Sequence, residues 1–371
     1  MDILLLLASL GLILVGAELF TNGIEWFGHK LNLAEGAVGS VLAAVATAMP
    51  ETLIPVIAIL GPVILGGASE SSHAVGVGAI LGAPFMLSTL AMFVTGLAVL
   101  MFARRGRRGT DMRVNVAVLG RDVTFFLVGY ALAIGTAFLP PGLGWLRWVA
   151  AGVLFFLYAA YVRLHFRDAP EPGSEDEPSR LHVTRLPGVP APAAVDLDLL
   201  PGGHDDLDAA GGHPPMRIVV TQVLAALACI ILGAQVFVGA VEHISTQVGF
   251  DPTILALIIA PIATELPEKF NSVLWVRTGK DTLAMGNITG AMVFQSCIPT
   301  AIGIALAADA WTISSESLLS FASAGIAFLS TAAIFVPMVR RGTLRGTHLL
   351  VGGIFYAAYL GLVLTKLAGM W

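Results

Sequence analysis

The chain has 371 residues, of which 56% are apolar and 12% charged, and its formal net charge is −5. A mean hydropathy of +0.85 excludes an ordinary water-soluble globule and places the chain in a lipid bilayer. The negative charge is set largely by one acidic loop, and there is no basic surface for nucleic acid.

Ten apolar runs follow one another, over about 2–24, 33–60, 74–102, 116–138, 144–166, 217–246, 253–276, 282–308, 315–338 and 347–368. Each is long enough to cross about 30 Å of hydrocarbon as a helix. The expected fold is therefore an all-α integral membrane protein with ten transmembrane helices. The first run lacks a basic leading segment and a clear cleavage site, so it reads as a retained helix. Cys229 and Cys297 both fall inside apolar runs, which predicts packing and no disulfide framework.

Lys and Arg crowd the loops after odd-numbered helices: Lys30, Arg104 to Arg113, Arg167, Arg180, Arg185, Arg277, Lys280, Arg340, Arg341 and Arg345. Only Arg147 and Lys366 fall near the other side. The positive-inside rule then makes the odd loops cytoplasmic and turns both termini outward, with the cell membrane as the expected location. Residues 167–216 are rich in Pro, Gly, Asp and Glu and poor in aromatics, which predicts a mostly disordered cytoplasmic linker. Its run His204-Asp205-Asp206-Leu207-Asp208 offers metal ligands, but the favoured reading is a solvated acidic stretch, since no spaced ligand pattern accompanies it. The linker separates two groups of five helices, 1–166 and 217–371.

Those two groups are related. Shifted by 217 residues, the chain aligns with itself without a gap from about Leu14 to Leu53. Gly16-Ala17 falls on Gly233-Ala234, Glu25 on Glu242, and Ala46-Thr47 on Ala263-Thr264; Pro50-Glu51 falls on Pro267-Glu268. With a shorter loop, Gly78-Ala79-Ile80-Leu81-Gly82-Ala83 falls on Gly286-Asn287-Ile288-Thr289-Gly290-Ala291. Five helices is an odd number, so the second repeat must cross the membrane in the opposite sense. Inverted repeats with interrupted helices mark secondary transporters.

The string Ala-Thr-x-x-Pro-Glu ends in Glu51 in one half and Glu268 in the other. A carboxylate inside an apolar span is costly and rare without a task. Proline lacks an N–H, so Pro50 and Pro267 leave the carbonyls of Ala46 and Ala263 in need of another partner. Thr47 and Glu51 lie four residues apart on one helix face, as do Thr264 and Glu268. Each half thus offers a carbonyl, a hydroxyl and a carboxylate, and Asn287 adds a neutral oxygen. Six or more oxygens with two negative charges suit a hard divalent cation such as Ca²⁺. The plainer reading of Thr47 and Thr264 is a hydroxyl bonded to its own helix, and that of Asn287 is interhelical packing. Glu18 reads as a polar packing group, Glu25 and Glu242 as solvated near helix ends, and His73 and His243 as loop histidines. Glu265 and Lys269 stand four apart in the order that favours a helix ion pair. Otherwise Glu265 is a third ligand for a cation or a proton.

These strings resemble the two alpha-repeats of the cation/calcium exchanger superfamily, in particular its sodium/calcium exchanger branch. The family carries Gly-Thr-Ser-x-Pro-Glu/Asp followed by Gly-Asn-x-x-Gly-Ser-Asn. The first is matched at Ala46–Glu51 and Ala263–Glu268, and the second at Gly286–Met292 and, degraded, at Gly78–Pro84. The resemblance implies an alternating-access antiporter, with Glu51 and Glu268 coordinating the transported cation. The motif serines are Ala48 and Glu265 here, the later Ser-Asn pairs are Ala83-Pro84 and Ala291-Met292, and the first Asn is Ala79. Oxygens associated with Na⁺ are therefore missing, and protons are the competing counter-ion.

The expected partners are small inorganic cations and the bilayer, with no nucleic acid and no resident cofactor. A passive cation channel and a transport-deficient sensor are the competing classes. An intramembrane zinc protease would need a His-Glu-x-x-His helix, which the sequence lacks. The sequence leaves the oligomeric state open.

Overall fold

The computed structural model describes residues 2–48, 52, 55–56, 59–60, 70–168, 178–182, 214–248, 265–314 and 317–368. Residues 2–30, Leu-rich and without proline, form the unbroken helix α1 (Asp2–Lys30). It ends on His29 and Lys30, where free carbonyls favour positive charge. Asn32, at φ 51°, takes the left-handed conformation that asparagine tolerates and turns the chain into α2 (Glu35–Thr47). One turn of α2, Val38–Ala43, is wound as a π-helix. Helix α3 runs through Glu70–Met86, a second π-turn Leu87–Ala91, and Met92–Arg104. That π-turn follows Pro84, whose ring breaks the regular hydrogen-bond ladder.

Asn115 caps the next helix, α4 (Val116–Gly135), by accepting the N–H groups of Ala117 and Val118 at 3.0 Å each. Then come α5 (Trp145–His165), α6 (Met216–Val248), α7 (Leu266–Thr278), α8 (Asp281–Leu306), α9 (Leu318–Arg341) and α10 (Val351–Leu367). Gly279 at φ 82° and Gly342 at φ 68° close α7 and α9 in the left-handed region that glycine enters freely. Among the described residues, eight helices are long and apolar enough to cross a membrane. The described parts of α2 and α7 are shorter; α2 ends, and α7 begins, within the Ala-Thr-x-x-Pro-Glu strings.

Helix α8 is the axle of the bundle. It is buried almost throughout and packs on α2, α3, α4, α5 and α7. Its approach to α2 depends on glycine. A Cβ added to Gly290 would lie 2.0 Å from the carbonyl oxygen of Ser40, and one added to Gly286 would lie 2.7 Å from the Ser40 hydroxyl. Only hydrogen fits there, as in other close membrane helix pairs.

Helices α1 and α6 pack antiparallel, and their contact is reciprocal. Gly16 abuts Ile230 and the carbonyl of Ala226, while Gly233 abuts Ile13 and the carbonyl of Ser9. Ile13 and Ile230, like Ser9 and Ala226, are related by the same 217-residue shift as the two glycines.

One end of the bundle gathers arginines. Arg108 grips Asp281 with two N–H groups at 2.6 and 2.7 Å and donates to the carbonyl of Val276 at 2.9 Å. A two-residue antiparallel ladder pairs Asp111 with Arg345 and Met112 with Leu344, tying the loop after α3 to the loop after α9.

Two expectations need correction, and part of the linker is placed. His73 is not a loop residue: it is buried on α3 and meets Asp309 at 3.0 Å, and His243 likewise falls within α6. Glu25 is not left to solvent, since the indole of Trp275 donates to it at 2.8 Å and Lys280 pairs with it. Within the polar linker, residues 178–182 dock on α1. Asn22 and Trp26 donate to the carbonyl of Ser179 at 3.0 and 2.9 Å, and Leu181 is buried against Trp26 and Val219.

Candidate cation site

The regular helix of α2 gives out at the first string. Ala48 follows Thr47 at φ −78°, ψ 0°, outside the helical region. In the second half, Glu265 sits at φ −90°, ψ 7°, and α7 begins with Pro267 in its first turn, where a missing N–H costs nothing. Among the described residues, α2 ends at Thr47 inside the first string, and α7 begins at Leu266 inside the second.

Three predicted residues meet there. The Thr47 hydroxyl lies 3.2 Å from Asn287 Oδ1, and Asn287 Nδ2 reaches the carbonyl of Glu268 at 3.4 Å. All three side chains are buried. Thr47 Oγ1 is also 3.0 Å from the carbonyl of Ala43, so its single proton has two acceptors and its lone pairs remain available. The helix-bonded alternative for Thr47 and the interhelical role of Asn287 are both realised. Ala46 is half-buried beside Thr47. Glu51, Thr264 and Ala263 lie outside the described residues.

Glu265 and Lys269 form the ion pair that their spacing favours, with Nζ 3.0 Å from Oε2 and both side chains buried. The lysine charge is thereby taken up within its own helix turn. The site is one of mixed oxygens, and no cluster of three or more His, Cys, Asp or Glu occurs among the described residues.

Sequence reasoning missed two features. Asn271, one turn after Glu268, is fully buried, and neither amide atom has a hydrogen-bond partner among the described residues. Its signal was an amide inside the apolar run 253–276, which the sequence reading passed over. The other is Asp122, a fully buried acid in α4. The rule that singled out Glu51 applies equally to it.

The sequence profile of the sodium/calcium exchanger protein family matches residues 1–167 and 218–368, everything except the polar linker and the last few positions. The chain belongs to the sodium/calcium exchanger family. It is an integral membrane protein and a cation antiporter. A relative described as the putative antiporter CaxA, from Alkalimonas amylolytica, is 24% identical over 365 residues, covering 96% of this chain and 95% of that one. Solved structures of the sodium-calcium exchanger NCX_Mj share the fold. The form soaked with 2.5 mM Na⁺ and 0.1 mM Ca²⁺ superposes with a TM-score of 0.67 at 14% identity, covering 97% of each chain. The form soaked with 2.5 mM Na⁺ and 1 mM Sr²⁺ gives 0.68 at 14% identity and 97% of each chain.

Proposed function

We propose that this exchanger moves Ca²⁺ or a related divalent cation by alternating access, with protons rather than Na⁺ as the principal counter-ion. The observation that carries the reading is the meeting of Thr47 from the first half with Glu268 and Asn287 from the second. Glu51, Thr264 and the carbonyls of Ala46 and Ala263 complete the coordination from the matching positions of the repeat. Hard divalent ions take six to eight oxygens and favour carboxylates among them. When the ion leaves, clustered carboxylates in a low-dielectric site need compensating charge, and protons supply it. The Lys269 pair holds Glu265, so Glu51 and Glu268 are the acids that carry the exchange.

The reading includes two inverted five-helix repeats with ten crossings. The antiparallel, reciprocal contact of α1 and α6 supports an axis in the membrane plane. It also includes both termini outside, residues 167–216 in the cytoplasm, and the cell membrane as location.

Flux into proteoliposomes tests it, with Ca²⁺, Mg²⁺ or Mn²⁺ offered against separate pH and Na⁺ gradients. A pH gradient should drive Ca²⁺ uptake more strongly than a Na⁺ gradient. Glu51→Gln and Glu268→Gln should each abolish flux in folded protein. Strong Na⁺-driven Ca²⁺ flux that ignores pH would overturn the counter-ion, and near-normal flux in either variant would move the site elsewhere.

A further inference from the structure

Asn271 is fully buried on α7, and neither its amide oxygen nor its amide nitrogen has a hydrogen-bond partner among the described residues. Its neighbours on the helix are engaged. Ser272 donates to the carbonyl of Ala284 at 2.9 Å, Lys269 pairs with Glu265 at 3.0 Å, and the indole of Trp275 donates to Glu25 at 2.8 Å. An amide taken out of water with both ends unbonded destabilises the fold. Leucine has the same branched shape and would fill the position without that cost. A buried polar group that weakens the fold where an apolar one would not marks a ligand contact rather than packing.

Helix geometry says where the amide points. At about 100° per residue, Asn271 lies about 60° round α7 from Glu268 and about 40° from Trp275. Trp275 marks the face turned to α1, through its bond to Glu25, and Ser272 marks the face turned to α8. Asn271 is therefore on the α1 side of Glu268, and residues three apart on a helix have Cβ atoms about 5–6 Å from each other. The other flank of Glu268 belongs to Asn287 of α8, whose Nδ2 reaches the Glu268 carbonyl at 3.4 Å and whose Oδ1 meets Thr47 at 3.2 Å. Glu268 thus stands between two buried amides. One is already part of the proposed cation site, and the other is unbonded among the described residues.

A cavity of about 390 Å³ lies between α1 and α7 toward the arginine-rich end, with Glu18, Thr21 and Glu25 on one side and Leu274, Trp275 and Thr278 on the other. Of its α7 lining, Leu274 and Trp275 come closest to Glu268 along the helix, and Asn271 is the next turn in. The amide therefore sits between this cavity and Glu268. The acids on either side of it are balanced: Glu25 is paired with Lys280, and Glu265 with Lys269. A neutral oxygen adds to the shell of a hard cation without adding charge, and the charge count of the ligands tunes how tightly such an ion is held.

We propose that Asn271 is a further cation-binding residue, whose amide oxygen takes the divalent ion as it passes between Glu268 and the cavity beside Trp275. This deepens the function proposed above and rests on the placing of the ion at Glu268. Asn271 is a neutral stepping point. An ion handed on by the Glu268 carboxylate keeps an oxygen ligand inside the bundle and is not trapped by a second charge.

The experiment uses the full chain in lipid nanodiscs for thermal unfolding in a chelator and for equilibrium binding of radioactive Ca²⁺ at mildly alkaline pH, and in proteoliposomes for Ca²⁺ flux. Asn271→Leu should unfold at a higher temperature without Ca²⁺, because the unbonded amide is gone, and should bind Ca²⁺ about tenfold more weakly, the equivalent of one lost ligand contact. Asn271→Asp keeps the oxygen and adds charge, so it should bind Ca²⁺ at least as tightly as the unmodified protein while slowing its flux. Unchanged Ca²⁺ binding and flux in Asn271→Leu, whatever its stability, overturns the proposal. Should Asn271→Leu fail to fold, Asn271→Asp decides, and weaker Ca²⁺ binding in that variant overturns it. If the unmodified protein binds no Ca²⁺, the proposed function fails and this assignment with it. If it binds Ca²⁺ and Asn271→Leu binds it equally well, only the role of Asn271 fails.

Discussion

Gly290→Ala is the sharpest test of how the two halves are held together. The added Cβ would sit 2.0 Å from the Ser40 carbonyl oxygen, 2.5 Å from its carbon and 2.6 Å from the Ser40 Cα. All three are backbone atoms in the π-turn of α2, so no side chain can swing aside. Restoring a contact of about 3 Å requires the helices to separate by about 1 Å, on the order of a whole hydrogen-bond tolerance. Ser40 and Thr289 then cannot both keep Asp122 at 2.8 and 2.6 Å, and the Thr47–Asn287 contact at 3.2 Å opens as well. Overpacking costs about 1–3 kcal/mol. A lost hydrogen bond to a charged group adds about 1.5–3 kcal/mol. The expected destabilisation is therefore about 3–5 kcal/mol, with Ca²⁺ flux lost. Gly82 is the control, because it occupies the matching place in the first repeat and a Cβ there meets nothing within 4 Å. Gly82→Ala should be neutral, or more stable by up to about 1 kcal/mol through helix propensity. Thermal unfolding in detergent, with flux in proteoliposomes, reads both variants. Equal tolerance of alanine at the two positions would refute the close-packed interface.

Lys269→Met leaves Glu265 buried without its partner and should cost about 3–5 kcal/mol, whereas the double variant Glu265→Gln/Lys269→Met should recover most of it; chemical denaturation of both decides, and a harmless single variant would show that the pair is not buried together. Orientation is checked by impermeant thiol reagents on intact cells in a Cys229→Ala background. Thr110→Cys in the arginine-rich loop should stay unlabelled, and Ser314→Cys at the opposite end should react; the reverse pattern inverts the topology.

The helical fold was legible because hydropathy reports the solvent directly: a bilayer leaves apolar runs no other place to go. The residues proposed for the cation site stood out for a related reason. Thr47 and Glu268 stood out as polar groups in such runs that the repeat duplicates, whereas Asn287 stood out alone, since Ala79 holds its place in the first half. Asp122 and Asn271 escaped because they occur once and fall outside the matched strings. Glu25 was misread for the complementary reason. Its place near a helix end suggested water, while Trp275 and Lys280, some 250 residues later, supply its partners only after folding. The reach of residues 178–182 onto α1 was equally hidden, since composition describes a segment's average and not five residues that dock.

The contact between α1 and α6 has the logic of an isologous dimer written into one polypeptide. In a two-fold homodimer each patch meets its own copy, so a single surface encodes both sides of the joint. Here Gly16 receives Ile230 and Gly233 receives Ile13, which are the same groove and the same ridge used twice. A lone half of this chain already carries everything that the joint requires. Assembly of the whole is then an intramolecular version of self-recognition, with the linker serving to keep two complementary copies at high local concentration. A substitution at Gly16 or Gly233 alone would then alter one half of the joint and leave the other half with its original fit.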